Sequence, residues 1–177
     1  IKPDYAVAHS NLGEILKDLN KLEEAEITIR KAIKLNPDNS NDYKNLGNIL
    51  MQHGQLKEAK IATEKAIKIN PNSEKGYLNL GIISKFNGKL KEGEFYTRKA
   101  IEIKPDYADA YWNLSLLELL QGDYQNGLEN YEFRSKLKKP IIPDGKTKIQ
   151  RINNQKLQKG EKLLVVSEQG LGDIIQY

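Results

Sequence analysis

The chain has 177 residues, with 28 Lys+Arg against 24 Asp+Glu and a formal net charge of +4. The charges alternate in sign instead of forming a basic stripe, which argues against a nucleic-acid surface. Cysteine is absent and there are only two histidines, so disulfides, cysteine metal sites and a His-rich metal site are excluded, and no apolar run is long enough to cross a bilayer.

A soluble, cytoplasmic chain without metal, cofactor or membrane contact is therefore expected. Ile1-Lys2-Pro3-Asp4 reads like the end of a repeat, and the last residues read like the start of a helix. Both ends lead us to expect a segment of a longer protein.

In chain order, the first feature is a period. Pro3, Pro37, Pro71 and Pro105 are spaced by 34 residues, as are Leu12, Leu46, Leu80 and Leu114, and Asn11, Asn45, Asn79 and Asn113. Gly13, Gly47 and Gly81 follow it, with Ser115 in the fourth unit, and so do Ala32, Ala66 and Ala100. Repeats of this length indicate a solenoid of helix–turn–helix units. The units run about 6–39, 40–73, 74–107 and 108–139.

Within each unit, a first helix should follow Pro and a capping residue. Asp4, Ser40, Ser73 and Asp106 carry the short side-chain oxygen that accepts from free first-turn N–H groups. Asn20, Gly54, Gly88 and Gly122 then end that helix, because they tolerate the left-handed conformation. The second helices are expected at 22–36, 56–70, 90–104 and 124–138. Gly13, Ala25 and Ala32 fall where helices approach closely, with Leu12, Leu16 and Ile29 filling the space around them. No single unit buries its apolar faces alone, but stacked units share a core. His9 takes the aromatic column of the first unit and reads as packing; His53 beside Gly54 reads as a surface residue.

The fourth unit departs from the pattern. Gly127 replaces the expected Ala, Arg134 occupies the second small-residue column, and the closing proline slips to Pro140. The solenoid is expected to end there.

The order aromatic, Asn-Leu-Gly, turn Gly, small residue, Ala, Pro resembles the tetratricopeptide repeat. The implied fold is an all-α, right-handed α-solenoid, and its implied role is to hold protein or extended peptide, not to catalyse. In this family the first helices line the concave face. Helices stacked ~8–10 Å apart make a groove of roughly 30–40 Å over four units, enough for about ten extended residues.

The Asn column is the leading candidate for contact. An amide offers an acceptor and two donors, so it can pair with peptide backbone whatever the sequence. Asn11, Asn45, Asn79 and Asn113 resemble the asparagine ladder of O-GlcNAc transferase; the other reading is that these amides bond neighbouring helices. A second candidate resembles the two-carboxylate clamp of repeat domains that bind chaperone C-termini. Lys44, Asn48 and Asn79 match it, whereas Asp109 and Asn113 stand where two basic residues belong. Starting one unit earlier, Ser10 and Glu14 do not match. Trp112, Leu116, Leu119 and Leu120 form an apolar stripe at i, i+4, i+7 and i+8. The stripe is expected to be buried against a following helix or the linker, receiving residues 140–177 or a following domain, or else to be a partner's hot spot.

Residues 140–160 carry Pro140, Pro143 and Gly145 and read as a linker. Lys162-Leu163-Leu164-Val165-Val166-Ser167 reads as a buried strand. Gly170 and Gly172 form a possible phosphate loop before a helix start. With Tyr131-Glu132-Phe133-Arg134 closing the repeats, this ending is similar to bacterial tetratricopeptide proteins that continue into a glycosyltransferase-like domain, and its incomplete βα unit (161–177) resembles heptosyltransferases. The resemblance implies that Asp173 would be a catalytic base in a longer parent, while this chain itself has no donor domain and is not an enzyme. The alternative is a structural adaptor that assembles complexes or self-associates.

Overall fold

The structure, a computed structural model, describes residues 5–137. Eight α-helices follow in order: α1 Ala6–Asp18, α2 Leu22–Leu35, α3 Ser40–Gln52, α4 Leu56–Ile69, α5 Glu74–Phe86, α6 Leu90–Ile103, α7 Ala108–Leu120 and α8 Tyr124–Tyr131. A 3-10 turn, Glu132–Lys136, closes the described chain. Residues up to Phe133 belong to one compact unit and those from Arg134 to a second. The linker at 140–160 and the βα segment at 161–177, with Gly170, Gly172 and Asp173, lie outside the described residues.

The turns inside each repeat are built as the sequence requires. Asn20, Gly54, Gly88 and Gly122 all have positive φ, between 59° and 83°. That geometry lets the next N–H turn back onto the helix: Gln55 donates to the Leu50 carbonyl at 2.8 Å and Lys89 to Ser84 at 2.9 Å. These are Schellman closures, which satisfy carbonyls left over at a helix end.

One of the described first-helix starts matches expectation and two differ by one residue. Ser73 caps α5, accepting from the Gly76 N–H at 3.1 Å. However, Asn39 and not Ser40 caps α3, accepting from Asn41 at 3.1 Å, and Tyr107 and not Asp106 precedes α7. The reason is the turn before each helix. Proline and the residue after it form that turn, so the cap falls two residues after Pro37, Pro71 and Pro105. Ser40 is therefore already helical and Asp106 is still in the turn. Asp4 is outside the described residues.

The last helix is shorter than expected. It stops at Tyr131 and tightens into the 3-10 turn before reaching 138. Gly127 is no sufficient cause, since α6 carries Gly93 in the same column and runs its full length; Arg134 stands where the other repeats hold alanine.

Small residues set the helix spacing. A Cβ at Gly13 would stand 2.5 Å from the Ile29 side chain, and one at Gly47 or Gly81 would collide with the hydroxyl of Thr63 or Thr97. Ala25, Ile29, Ile49, Ala59 and Ile83 are wholly buried in one core that crosses repeat boundaries. Each fully buried isoleucine contributes roughly 1.5–3 kcal/mol. Leu46, Leu80 and Leu114 are buried in their column, whereas Leu12 is 46% exposed.

The contact pattern defines an inner side. Within each repeat the two helices pack together, and each second helix also packs on the next repeat's first. In addition, α1 touches α3, α3 touches α5, and α5 touches α7, whereas α2, α4, α6 and α8 do not approach one another. Long side chains bridge that outer side, Arg30 to Glu58 at 3.2 Å and Lys60 to Glu92 at 2.6 Å. His53, at the end of α3, is not a free surface group: its ring lies 3.3 Å from Glu26 and 3.8 Å from Glu23 of α2.

Candidate functional site: the inner face of the solenoid

The first helices supply the inner face, and its two halves differ. In the N-terminal half, α1 and α3 enclose a polar cleft of about 300 Å³. Ser10, Asn11 and Glu14 of α1 face Asn41, Asp42, Lys44 and Asn45 of α3 across it. Asn11 is exposed; Asn45 is 8% exposed, and its amide has no hydrogen-bond partner among the described residues. Lys44 is half-buried and donates to the Asn41 side chain at 2.7 Å. Burial, helped by nearby Lys75, holds the Lys44 ammonium below the usual lysine range. Asn48, one turn further along α3, is half-buried.

The C-terminal half is closed differently. Asn113 is 2% exposed. Its amide nitrogen donates to the Thr97 hydroxyl at 2.8 Å, and its oxygen accepts from the Lys85 ammonium at 2.8 Å. Thr97 in turn donates to the Gly93 carbonyl at 2.7 Å. Both ends of the Asn113 amide are thus spent inside the protein, which corrects the expectation of a fourth open rung. Asn79 is 8% exposed, and its amide nitrogen is buried without a partner. The four asparagines share one column, but only the first two line the cleft.

The apolar stripe on α7 is also corrected in part. The Trp112 and Tyr131 rings lie 4.9 Å apart and tilted, and a Cβ at Gly127 would meet Leu119 at 2.8 Å. Trp112 and Leu119 therefore belong to the seam between α7 and α8. Leu116 is half-buried, and Leu120 is 62% exposed. Tyr111 stacks on Phe133 of the 3-10 turn at 3.9 Å.

Sequence reasoning missed the buried polar residues that organise this face. Asp42 is wholly buried, and burial raises its pKa against the opposing pull of Ser10 and Asn39. Glu118 is 2% exposed and is likewise raised by burial, but it meets Arg98 at 3.0 Å and Asn130 at 2.8 Å. Both were visible as exceptions. Asp42 stands in a column otherwise holding Ala8, Gly76 and Ala110, and Glu118 in one holding Leu16, Leu50 and Ser84. Among the described residues, no group of three His, Cys, Asp or Glu side chains is placed to hold a metal. No described helix is long and apolar enough to cross a membrane.

Comparison with known proteins agrees with this geometry. Tetratricopeptide-repeat models match residues 6–39, 40–73 and 74–107, three consecutive units in the expected register. The chain belongs to the tetratricopeptide-repeat proteins. The crystal structure of MamA is similar over 75% of this chain and 77% of that one, at 21% identity and a TM-score of 0.67. PilF of Pseudomonas aeruginosa is similar over 76% of this chain and 62% of that one, at 20% identity and a TM-score of 0.68. The first tetratricopeptide domain of Spaghetti (RPAP3), solved with the HSP90 peptide SRMEEVD, covers 66% of this chain and 93% of its own, at 19% identity and a TM-score of 0.64. These likenesses establish the fold alone. Among curated proteins, none matches.

Proposed function

We propose that the chain is a protein-interaction module that holds extended polypeptide along its inner face, with the N-terminal half making the backbone contacts. One observation carries this reading: α1 and α3 open a polar cleft on the inner side, and the Asn45 amide on its wall has no internal partner. Asn11 and Asn45 each offer donor and acceptor to a passing peptide group, with Lys44 and Asn48 beside them. The complex of the RPAP3 domain with a peptide supports the general mode. The carboxylate clamp is less well supported, because Asp109 opposes an acidic chain end.

The finer reading, that the module serves a larger glycosyltransferase, rests only on the sequence resemblance of Tyr131-Glu132-Phe133-Arg134 and residues 161–177. The adaptor alternative has no observation that favours it over peptide binding.

The test is a fluorescence-anisotropy screen of labelled decapeptides against the full chain and the double variant Asn11→Ala/Asn45→Ala. Loss of two backbone hydrogen bonds, each worth about 1 kcal/mol, should weaken binding roughly tenfold or more without lowering the melting temperature. Unchanged affinity for every bound peptide would remove the amides from the site.

A further inference from the structure

Asp42 is the anomaly of the inner face. It lies in the first turn of α3, where a carboxylate is favoured by the helix dipole, and its Oδ2 accepts from the Asn39 side chain at 2.8 Å. That accounts for one oxygen. The other, Oδ1, is buried and has no hydrogen-bond partner. The Ser10 hydroxyl lies close enough to pull the Asp42 pKa down, but its own donated bond runs to the Ala6 carbonyl at 3.1 Å. The only cation on the cleft, Lys44, bonds Asn41 and not the carboxylate.

A buried, half-satisfied carboxylate is costly, and this column holds only Ala8, Gly76 and Ala110 in the other repeats. The fold does not need an acid here. The surroundings offer acceptors: Glu14, Asn11 and Asn45 all line the same cleft. A donor carrying positive charge would complete the set.

We propose that the cleft between α1 and α3 is a pocket for one cationic side chain of the bound polypeptide, a lysine ammonium or an arginine guanidinium. Asp42 Oδ1 is its counter-ion at the floor, Glu14 flanks it at the rim, and Asn11 and Asn45 take the neighbouring backbone. The pocket rests on the peptide-binding reading for its context and adds a sequence preference to it. A ladder of amides alone is indifferent to side chains; a single acidic pocket sets a register, because only one repeat carries it.

Two measurements test the pocket. In the first, the full chain is titrated with Nα-acetyl-lysine N-methylamide and, separately, with the norleucine analogue, while the Asp42 ¹³Cγ resonance and the amides of residues 7–14 and 39–45 are followed. The lysine compound should shift them, the norleucine compound should not, and Asp42→Asn should abolish the difference. Equal responses, no response, or a lysine-specific response that survives Asp42→Asn would each overturn the pocket. In the second, an Ala/Ser decapeptide with one central lysine is compared with its norleucine twin by anisotropy. About tenfold tighter binding of the lysine peptide is expected, falling to parity in Asp42→Asn. Equal binding of the two peptides would overturn the pocket while leaving the groove standing. Failure of both peptides to bind would count against the groove itself, and the first titration would then decide the pocket alone.

Discussion

Asn45, in the N-terminal half of the inner face, and Asn113, in the C-terminal half, occupy the same register of the repeat, two periods apart. Asn45 lines an open cleft with its amide unpaired; Asn113 is locked between Thr97 and Lys85. The period fixes where the backbone goes. Whether the side chain is offered or spent depends on two other columns. The residue sixteen before the asparagine is Thr97 for Asn113 and Thr63 for Asn79 but Ile29 for Asn45, and the residue 28 before is Lys85 for Asn113 and Lys17 for Asn45 but Met51 for Asn79. Only Asn113 has both the hydroxyl and the ammonium. A repeat protein can thus keep one column constant and still give each repeat a different chemistry.

The largest expected effect breaks one half while sparing the other. Leu117 is wholly buried and would lie 3.1 Å from a Cβ placed at Gly93, so it ties α7 to α6. Leu117→Ala should cost about 2–5 kcal/mol, read as a lower urea midpoint. Hydrogen exchange should rise first in α7 and α8, with α1 to α4 least affected. Uniform loss of protection along the chain would show that the halves fold as one unit and are not separable.

Next in size is the direct test of the two amides. Asn113→Ala removes two buried hydrogen bonds and leaves Lys85 with less company, so about 1–3 kcal/mol should be lost. Asn45→Ala removes none and should stay within about 0.5 kcal/mol of the parent. Peptide binding should rank the other way. Equal costs in denaturant would mean that Asn45 has an internal role the geometry does not show.

Much of the fold could be read directly from residues. The period located all four first helices, and Asn20, Gly54, Gly88 and Gly122 located every turn, because positive φ restricts the choice to Gly and Asn. Ser73 caps α5 as the sequence suggests, but Ser40 and Asp106 each lie one residue from the true cap position, because composition shows which oxygens are available, not where the Pro turn ends. The ladder was half legible. A column shows that Asn recurs, but not that Thr97 and Lys85 converge on one member of it. For the stripe from Trp112 to Leu120, i, i+4 spacing shows an apolar face but not which neighbour covers it; Tyr131 and Gly127 of α8 decide that for Trp112 and Leu119. Asp42 was legible only by comparison down its own column, as the acid among Ala8, Gly76 and Ala110.

A smaller effect follows from that column. Asp42→Ala installs the residue that two sister repeats already carry and removes a desolvated carboxylate. It should stabilise the unliganded chain by about 1 kcal/mol, a rise of a few degrees in melting temperature. The Asn39 amide is half-buried and can turn to water. A destabilised variant would show that the Asn39–Asp42 bond matters more to α3 than the strain at Oδ1.

The smallest effect is a slope, and it compares the two buried acids. Burial raises the pKa of both Asp42 and Glu118. A raised folded pKa means the folded state holds its proton more tightly than the unfolded chain does. The stability so gained is fully present below the ordinary carboxylate value and is lost as pH rises through the raised one. Relative to Asp42→Asn, which cannot titrate, the parent should therefore lose ground from about pH 4 upward. Lys44 is the only charged group countering burial at Asp42. At Glu118, Arg98 favours the charged form while Asp123 and Glu94 oppose it, and the Asn130 bond also favours it. The loss relative to Glu118→Gln should run the same way, offset by the penalty of leaving Arg98 without its carboxylate at high pH. Urea midpoints of the three proteins at several pH values would measure this. A saturating lysine-containing peptide should then reverse the sign at Asp42 alone, because a cation beside Oδ1 favours the ionised acid. If the slope at Asp42 stays the same with peptide bound, the cation is not reaching that oxygen.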